Sequence, residues 1–374
     1  MARKFLFLSA MVLMLTSCEG TLDDVFGEWS RPSNSSNTTS DPKLETPLTL
    51  EATSAGTIVV NKPQTGMQYS LNGGAKTTLT VDPTNITVAA GDEVQFYGKG
   101  TTIKAYCSNS SDNTSIQGSG TGFTFKVYGN IMSLIDETGF ATATTLSARW
   151  AFTGLFSDNV SLTDASGLQL PATTLAKDSY HRMFMGCSNL TAAPSKLPAM
   201  TLTESCYAQM FEDCKSLTSA PELPATSLDS YCYSSMFRGC TSLTTAPALP
   251  ATTLAGLCYQ SMFNGCTSLT TAPALPATTL ANQCYYSMFE GCTSLTTAPE
   301  LKAETLVMDC YRQMFNGCTN LTAVTCLATN ISADDCTTNW LYGVAATGTF
   351  TKASSMTTWT TGVNGIPSGW TVTP

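Results

Sequence analysis

Between residues 162 and 321 the chain repeats itself, and that period limits the possible folds more than any other feature. The stretch CYQSMFNGCTSLTTAPALPATTLA, Cys258 to Ala281, returns with few changes on both sides. The leucine after Cys-Thr-Ser stands at Leu243, Leu269 and Leu295, with equivalents at Leu162, Leu190, Leu217 and Leu321. The intervals are 28, 27, 26, 26, 26 and 26 residues, so seven units are visible. Leu155-Phe156 aligns with the later Met-Phe pairs, and Trp340-Leu341 holds the same place one period after the last of them. A fixed period of this size predicts units that bury their apolar faces only against their neighbours.

Within one unit, Leu254, Cys258, Met262 and Cys266 lie four apart and Phe263 flanks them. That spacing predicts a short helix. Thr252 or Thr253 is its expected N-cap, and Gly265 suits a left-handed residue at its end. The following segment, with Leu243, Ala246 and Leu249 in the preceding copy, predicts a short strand. Pro247 lacks an N–H for a parallel ladder and should end it, and Pro250 continues the extended chain. One strand and one short helix per unit predict an α/β leucine-rich-repeat solenoid of parallel strands. Seven strands about 4.8 Å apart give a face about 30 Å long.

The flanks read differently. Arg3 and Lys4 precede a short apolar run, Phe5 to Leu15, too short to span a bilayer. Leu15-Thr16-Ser17-Cys18 resembles a lipobox, which implies cleavage before Cys18 and lipidation of its thiol. The other reading is an ordinary secretory signal. Asp23, Asp24 and Glu28 form either a surface-export signal or a solvated acidic tether, and Arg31 to Lys43 has too little apolar content to order itself. Residues 44–135 contain about seven short β-rich runs, with turn signals at Asn72-Gly73 and Gly91-Asp92 expected to close hairpins, and predict a β-sandwich. Residues 340–374 abandon the period and predict a β cap in which Trp340, Trp359 and Trp370 close the core. The expected organisation is therefore 1–17 signal, 18–43 lipidated cysteine and tether, 44–135 sandwich, 136–339 solenoid and 340–374 cap.

Five cysteine pairs stand eight residues apart: Cys206/Cys214, Cys232/Cys240, Cys258/Cys266, Cys284/Cys292 and Cys310/Cys318. Cys187 and Cys336 extend the two columns, and Cys107 and Cys326 stand outside them. Zinc sites use closer spacing and usually histidine, and the one histidine here is His181. Eight helical residues span about 12 Å, beyond the ~7 Å Cα limit of a disulfide. Bridges between neighbouring copies remain open, since export permits them. The favoured reading is a column of buried thiols that donate to loop carbonyls. No cofactor is expected. His181 reads as a surface residue and the carboxylates are scattered; Asp334-Asp335 could hold calcium, but adjacent carboxylates are more often a solvated turn, so no catalytic site is expected.

Charged residues are 12% of the chain, about half the usual 25%. The exterior must therefore be built largely from Thr, Ser and Ala. The net charge of −9 argues against nucleic acid, which requires clustered Lys and Arg. Tyr207, Tyr233, Tyr259, Tyr285 and Tyr311 form a regular column, read first as packing between neighbouring units and second as a ligand-stacking row.

The stretch CYSSMFRGCTSLTTAPALPATTLA, Cys232 to Ala255, resembles the repeats of BspA-like leucine-rich-repeat surface proteins, with their aromatic-x-Gly-Cys-x-Ser-Leu core. The resemblance runs from about Thr144 to the end, and the preceding β unit is similar to the module found before such repeats. It implies a cell-surface lipoprotein or a secreted protein, and some members are adhesins for host matrix proteins. With the lipobox-like Cys18 and no catalytic site expected, the expectation is a non-enzymatic outer-membrane lipoprotein facing outward that contacts host matrix proteins or other cells. A glycan-binding accessory lipoprotein of a nutrient-uptake system, or a passive surface scaffold, is the other expectation.

Overall fold

The computed structural model describes residues 42–99, 114–357 and 359–374. The targeting segment with Cys18, the tether as far as residue 41, Cys107 and one of the β-rich runs of 44–135, at 103–107, lie outside the described residues, and the last two tether residues, Pro42 and Lys43, begin a helix. Asp41 to Pro374 forms one compact unit, so the boundaries drawn at 135 and 339 fall inside a single body.

After a short helix α1 (Pro42–Glu45), eight strands make the first part of this unit: β1 (Thr49–Ala52), β2 (Gly56–Asn61), β3 (Gln68–Leu71), β4 (Thr77–Thr78), β5 (Thr84–Val88), β6 (Glu93–Tyr97), β7 (Ser115–Ser119) and β8 (Phe125–Asn130). One sheet has the order β4-β3-β6-β1-β8 and continues into β9 (Leu162–Gln169); the second is β5-β2-β7. Alternate residues, such as Val94 and Phe96 of β6 and Ile58 and Val60 of β2, are buried between them. This is the period-two pattern of a strand with one face in the core. Asn72 and Gly73, with φ of 51° and 68°, turn β3 into β4. Gly91-Asp92 does not close a hairpin as expected: β5 pairs with β2, while β6 pairs with β1 and β3, so the turn hands the chain from one sheet to the other. The β8–β9 pairing is parallel and joins this module to the first repeat.

The α/β solenoid with short helices is not what the repeats form. Among the described residues the fold is nearly all-β, 3% helical and 25% strand, with the strands in three small sheets. Among the described residues the only α-helix is Pro42–Glu45. The segment expected to be helical is a ribbon of overlapping turns. Met262 N–H donates to Tyr259 O (3.2 Å), Asn264 N–H to Ser261 O (3.1 Å) and Cys266 N–H to Phe263 O (3.0 Å). The intervening N–H groups of Ser261, Phe263 and Gly265 donate to Tyr286, Met288 and Glu290 of the next copy at 2.8, 2.9 and 2.7 Å. Half the N–H groups thus serve the copy's own turns, and half serve its neighbour.

A helix cannot do this, because it spends its N–H groups within its own segment. The ribbon achieves it by placing alternate residues at positive φ: Ser205, Tyr207 and Gln209 stand at 60°, 62° and 57°. Each such non-glycine residue costs about 1–2 kcal/mol, offset by a cross-copy hydrogen bond and by the buried side chains beside it. The misreading has a clear cause. Burial in Cys258–Cys266 comes in pairs four residues apart, which a helix and this ribbon share.

The extended segments meet through isolated parallel bridges one period apart, such as Thr245–Thr271 and Thr253–Thr279. Regular strand appears only where the Ala-Pro pattern is missing, in β9 of the first copy and β10 (Ala323–Cys326) of the last. The missing proline N–H explains the difference. β10, β11 (Gly348–Lys352) and β12 (Trp370–Thr373) then form a parallel three-stranded sheet over the last copy. Trp340 stacks between Tyr311 and Trp359 at 6.3 and 5.5 Å, and Trp370 is buried with its indole N–H on Ala345 O.

Candidate binding face

Almost every chemically distinctive side chain of the repeat points inward. Phe156, Phe184, Phe211, Phe237, Phe263, Phe289 and Phe315 stack with centroids 5.3–5.7 Å apart. A second column runs through Tyr180, Tyr207, Tyr233, Tyr259, Tyr285 and Tyr311 at 5.5–6.1 Å. Tyr207, Tyr233, Tyr259, Tyr285 and Tyr311 are at most 2% exposed, so they are packing rings and offer no surface to a ligand. Burial raises their phenols above the ordinary range.

The repeat cysteines are buried too, and none is disulfide-bonded. In the second column Cys214, Cys240, Cys266, Cys292 and Cys318 each donate through Sγ to a phenylalanine carbonyl of the preceding copy, at 3.0–3.1 Å. Cys187 starts this row on Phe156 O. In the first column Cys206 donates to Ala176 O and Cys232 to Thr203 O, while Cys310 reaches Cys336 O only at 4.0 Å. Cys258 and Cys284 are equally buried. Burial pushes the Cys258, Cys266 and Cys310 thiols up to about 12. They stay protonated at neutral pH and are poor nucleophiles and poor metal ligands. Among the described residues no three His, Cys, Asp or Glu converge on a point that could hold a metal ion.

What faces outward is hydroxyl-rich and repeats in register. Thr191, Thr218, Thr244, Thr270, Thr296 and Thr322 are all exposed. The hydroxyls of Thr218, Thr270 and Thr322 each donate to the backbone carbonyl of the equivalent threonine one copy earlier, at 3.3 Å. A parallel row does the same: Thr241 donates to Lys215 O, Thr267 to Thr241 O and Thr293 to Thr267 O. With the hydrogen committed to the backbone, each hydroxyl presents lone pairs to solvent in a fixed direction. Beside these rows a shallow groove of about 390 Å³ is lined by Pro221, Leu223, Pro224, Pro247 and Pro250.

Charges occur in the extended segments, as in the Lys196–Glu222 and Lys302–Glu300 pairs, and a further polar network lies along the turn ribbon. His181 is mostly buried rather than on the surface: its Nε2 meets Gln209 Oε1 at 3.1 Å, which also accepts from Arg182 Nε at 2.8 Å. Gln209 in turn donates to the buried Glu212, and Arg238 pairs with Glu212 at 3.3 Å. Sequence reasoning missed this network because its members lie in three different copies. Asp335 and Asp309 share Arg312, at 3.5 and 3.2 Å, so Asp335 is tied into a cross-copy pair.

Burial lowers the pKa of His181 from its model-peptide value near 6.5. The neutral form is then favoured in the fold, and unfolding exposes a group that takes up a proton more readily. Stability from His181 is present above pH 6.5 and is lost as pH falls below it. The expected result is a decline in stability between pH 7 and 5 that is shallower in His181→Gln, read from urea midpoints. Equal slopes in the two proteins would remove His181 as the cause.

Comparison with known protein families, with curated proteins and with solved structures finds no match to this chain.

Proposed function

We propose that this chain is a non-enzymatic binding protein displayed on the outer membrane through lipid on Cys18. Its repeated hydroxyl face contacts host matrix proteins or other cells. The observation that carries this reading is the pair of outward threonine rows, held in register by hydrogen bonds to the neighbouring copy. A surface of identical weak contacts gains strength by multiplicity, so it suits a ligand that is itself repetitive. The resemblance of Cys232–Ala255 to BspA-like repeats supports the same reading, as does the lipobox-like Leu15–Cys18. A glycan-binding accessory role is favoured by a different observation. The threonine rows carry no Tyr, Trp or Arg of the kind that anchors protein interfaces.

The test is binding of the ectodomain to immobilised matrix proteins and to a glycan array. It is repeated with a variant lacking residues 229–280 and with Thr244, Thr270 and Thr296 changed to valine. Binding to matrix protein that falls at least tenfold in both variants supports adhesion. The same fall on glycans alone supports the accessory role. Binding unchanged by either variant overturns the threonine face as the contact.

A further inference from the structure

One row of cross-copy hydrogen bonds reverses direction in the middle of the stack. At the tyrosine position, Tyr180 N–H donates backward to Ala151 O (2.8 Å), Tyr207 to Ser179 O (3.1 Å) and Tyr233 to Cys206 O (3.3 Å). From the next copy on, the same position donates forward: Tyr259 to Cys284 O (3.0 Å), Tyr285 to Cys310 O (3.2 Å) and Tyr311 to Cys336 O (3.0 Å). The backbone records the change. Tyr180, Tyr207 and Tyr233 have φ of 60°, 62° and 61°, whereas Tyr259, Tyr285 and Tyr311 are not at positive φ. Nearly identical sequences, Cys232–Phe237 and Cys258–Phe263, therefore hold two different peptide orientations.

The two half-rows present their carbonyl ends to each other. Cys232 O and Cys258 O belong to fully buried residues, and among the described residues neither accepts a hydrogen bond. Buried carbonyls without partners are rare and costly, and here the negative ends of two hydrogen-bonded rows face one another as well. Cys266, Thr267 and Thr270 and the N–H groups of Tyr231, Ser235, Phe237 and Gly239 still bond across the plane between these copies, but it lacks the tyrosine-position bond, and its polar side-chain bridge on the turn ribbon is weak. The plane before it carries the Arg238–Glu212 ion pair, and the plane after it the Asn264–Glu290 hydrogen bond. Here the side-chain bridge on that flank is Ser234 to Gln260, at 3.5 Å.

We infer that the plane between Cys232 and Cys258 is a built-in parting plane, where the stack opens first. The N-terminal side is secured from beyond the repeats. Ile116 N–H of β7 donates to Leu155 O at 2.8 Å and Gln117 Nε2 to Ser157 O at 2.6 Å, covering carbonyls at the start of the ribbon. The described residues from 255 onward therefore separate as a unit while those of 44–99 and 114–254 stay folded. In a chain held at its N-terminal end and loaded from its far end, this plane yields before any other.

Hydrogen exchange read by mass spectrometry on the whole chain, across sub-denaturing urea, tests this. Peptides from 255–374 are expected to lose protection together, at least tenfold faster than those from 114–254, with the border between Tyr233 and Tyr259. Pulling the two chain ends in optical tweezers should give a first step of about 40 nm, the length of residues 255–374 at 3.3–3.6 Å each. Loss of protection as one unit, or a border or step at another copy, overturns the inference.

Discussion

Phe263→Ala is expected to destabilise the fold by about 3–5 kcal/mol, the range for emptying a buried aromatic site. Phe263 is fully buried and stacks on Phe237 and Phe289 at 5.7 and 5.6 Å. Its loss interrupts a column in which each ring is the neighbour of two others. Collapse cannot repair the gap, because the backbone spacing on both sides is fixed: Phe237 N–H is bound to Met262 O and Phe263 N–H to Met288 O, both at 2.9 Å. Phe263→Leu keeps much of the volume and should cost about 1–1.5 kcal/mol. Equilibrium denaturation in urea measures both. A Phe263→Ala loss below about 1 kcal/mol would mean that the column is not a close-packed core. A fall in the urea slope would show the stack breaking into independently unfolding parts.

Removing the tyrosine hydroxyls should have the opposite sign. The hydroxyls of Tyr207, Tyr233 and Tyr259 are buried and have no hydrogen-bond partner among the described residues. A buried polar group without a partner costs about 1–3 kcal/mol, so each Tyr→Phe change should stabilise by about 1 kcal/mol. The triple variant should gain somewhat less than three times that, since the rings touch and their effects are coupled. A loss of stability would show that each hydroxyl is bonded to something in solution, an ordered water being the simplest candidate. The same variants separate the two meanings of the tyrosine column. Ligand binding should be untouched, and weaker binding in Tyr→Phe would return these rings to the contact surface.

Much of the core was legible without coordinates. The period placed Cys258, Met262, Phe263 and Leu269 in columns, and all are buried. The helical span that argued against a bridge within a pair does not apply to a turn ribbon, yet the repeat cysteines are free, and those of the second column sit on phenylalanine carbonyls. The helix was not excluded, because pairs of apolar residues four apart fit both a helix and a turn ribbon. The hairpin expected at Gly91-Asp92 failed for a related reason. A turn signal says where the chain bends, and not which sheet receives each arm. The charged network around Gln209 and Glu212 was invisible, since His181, Gln209 and Arg238 come from three copies.

The sequence by itself determined the period and the set of side chains that must be hidden, because apolar spacing depends only on local order along the chain. The tertiary structure alone decided the backbone state of the repeats. Whether an N–H group serves its own segment or the next depends on a neighbour 26 residues away. Once that neighbour is in place, alternate positive φ values become affordable even at tyrosine and leucine. The same dependence on neighbours explains why one repeated motif carries two peptide orientations, with their boundary at Cys232 and Cys258.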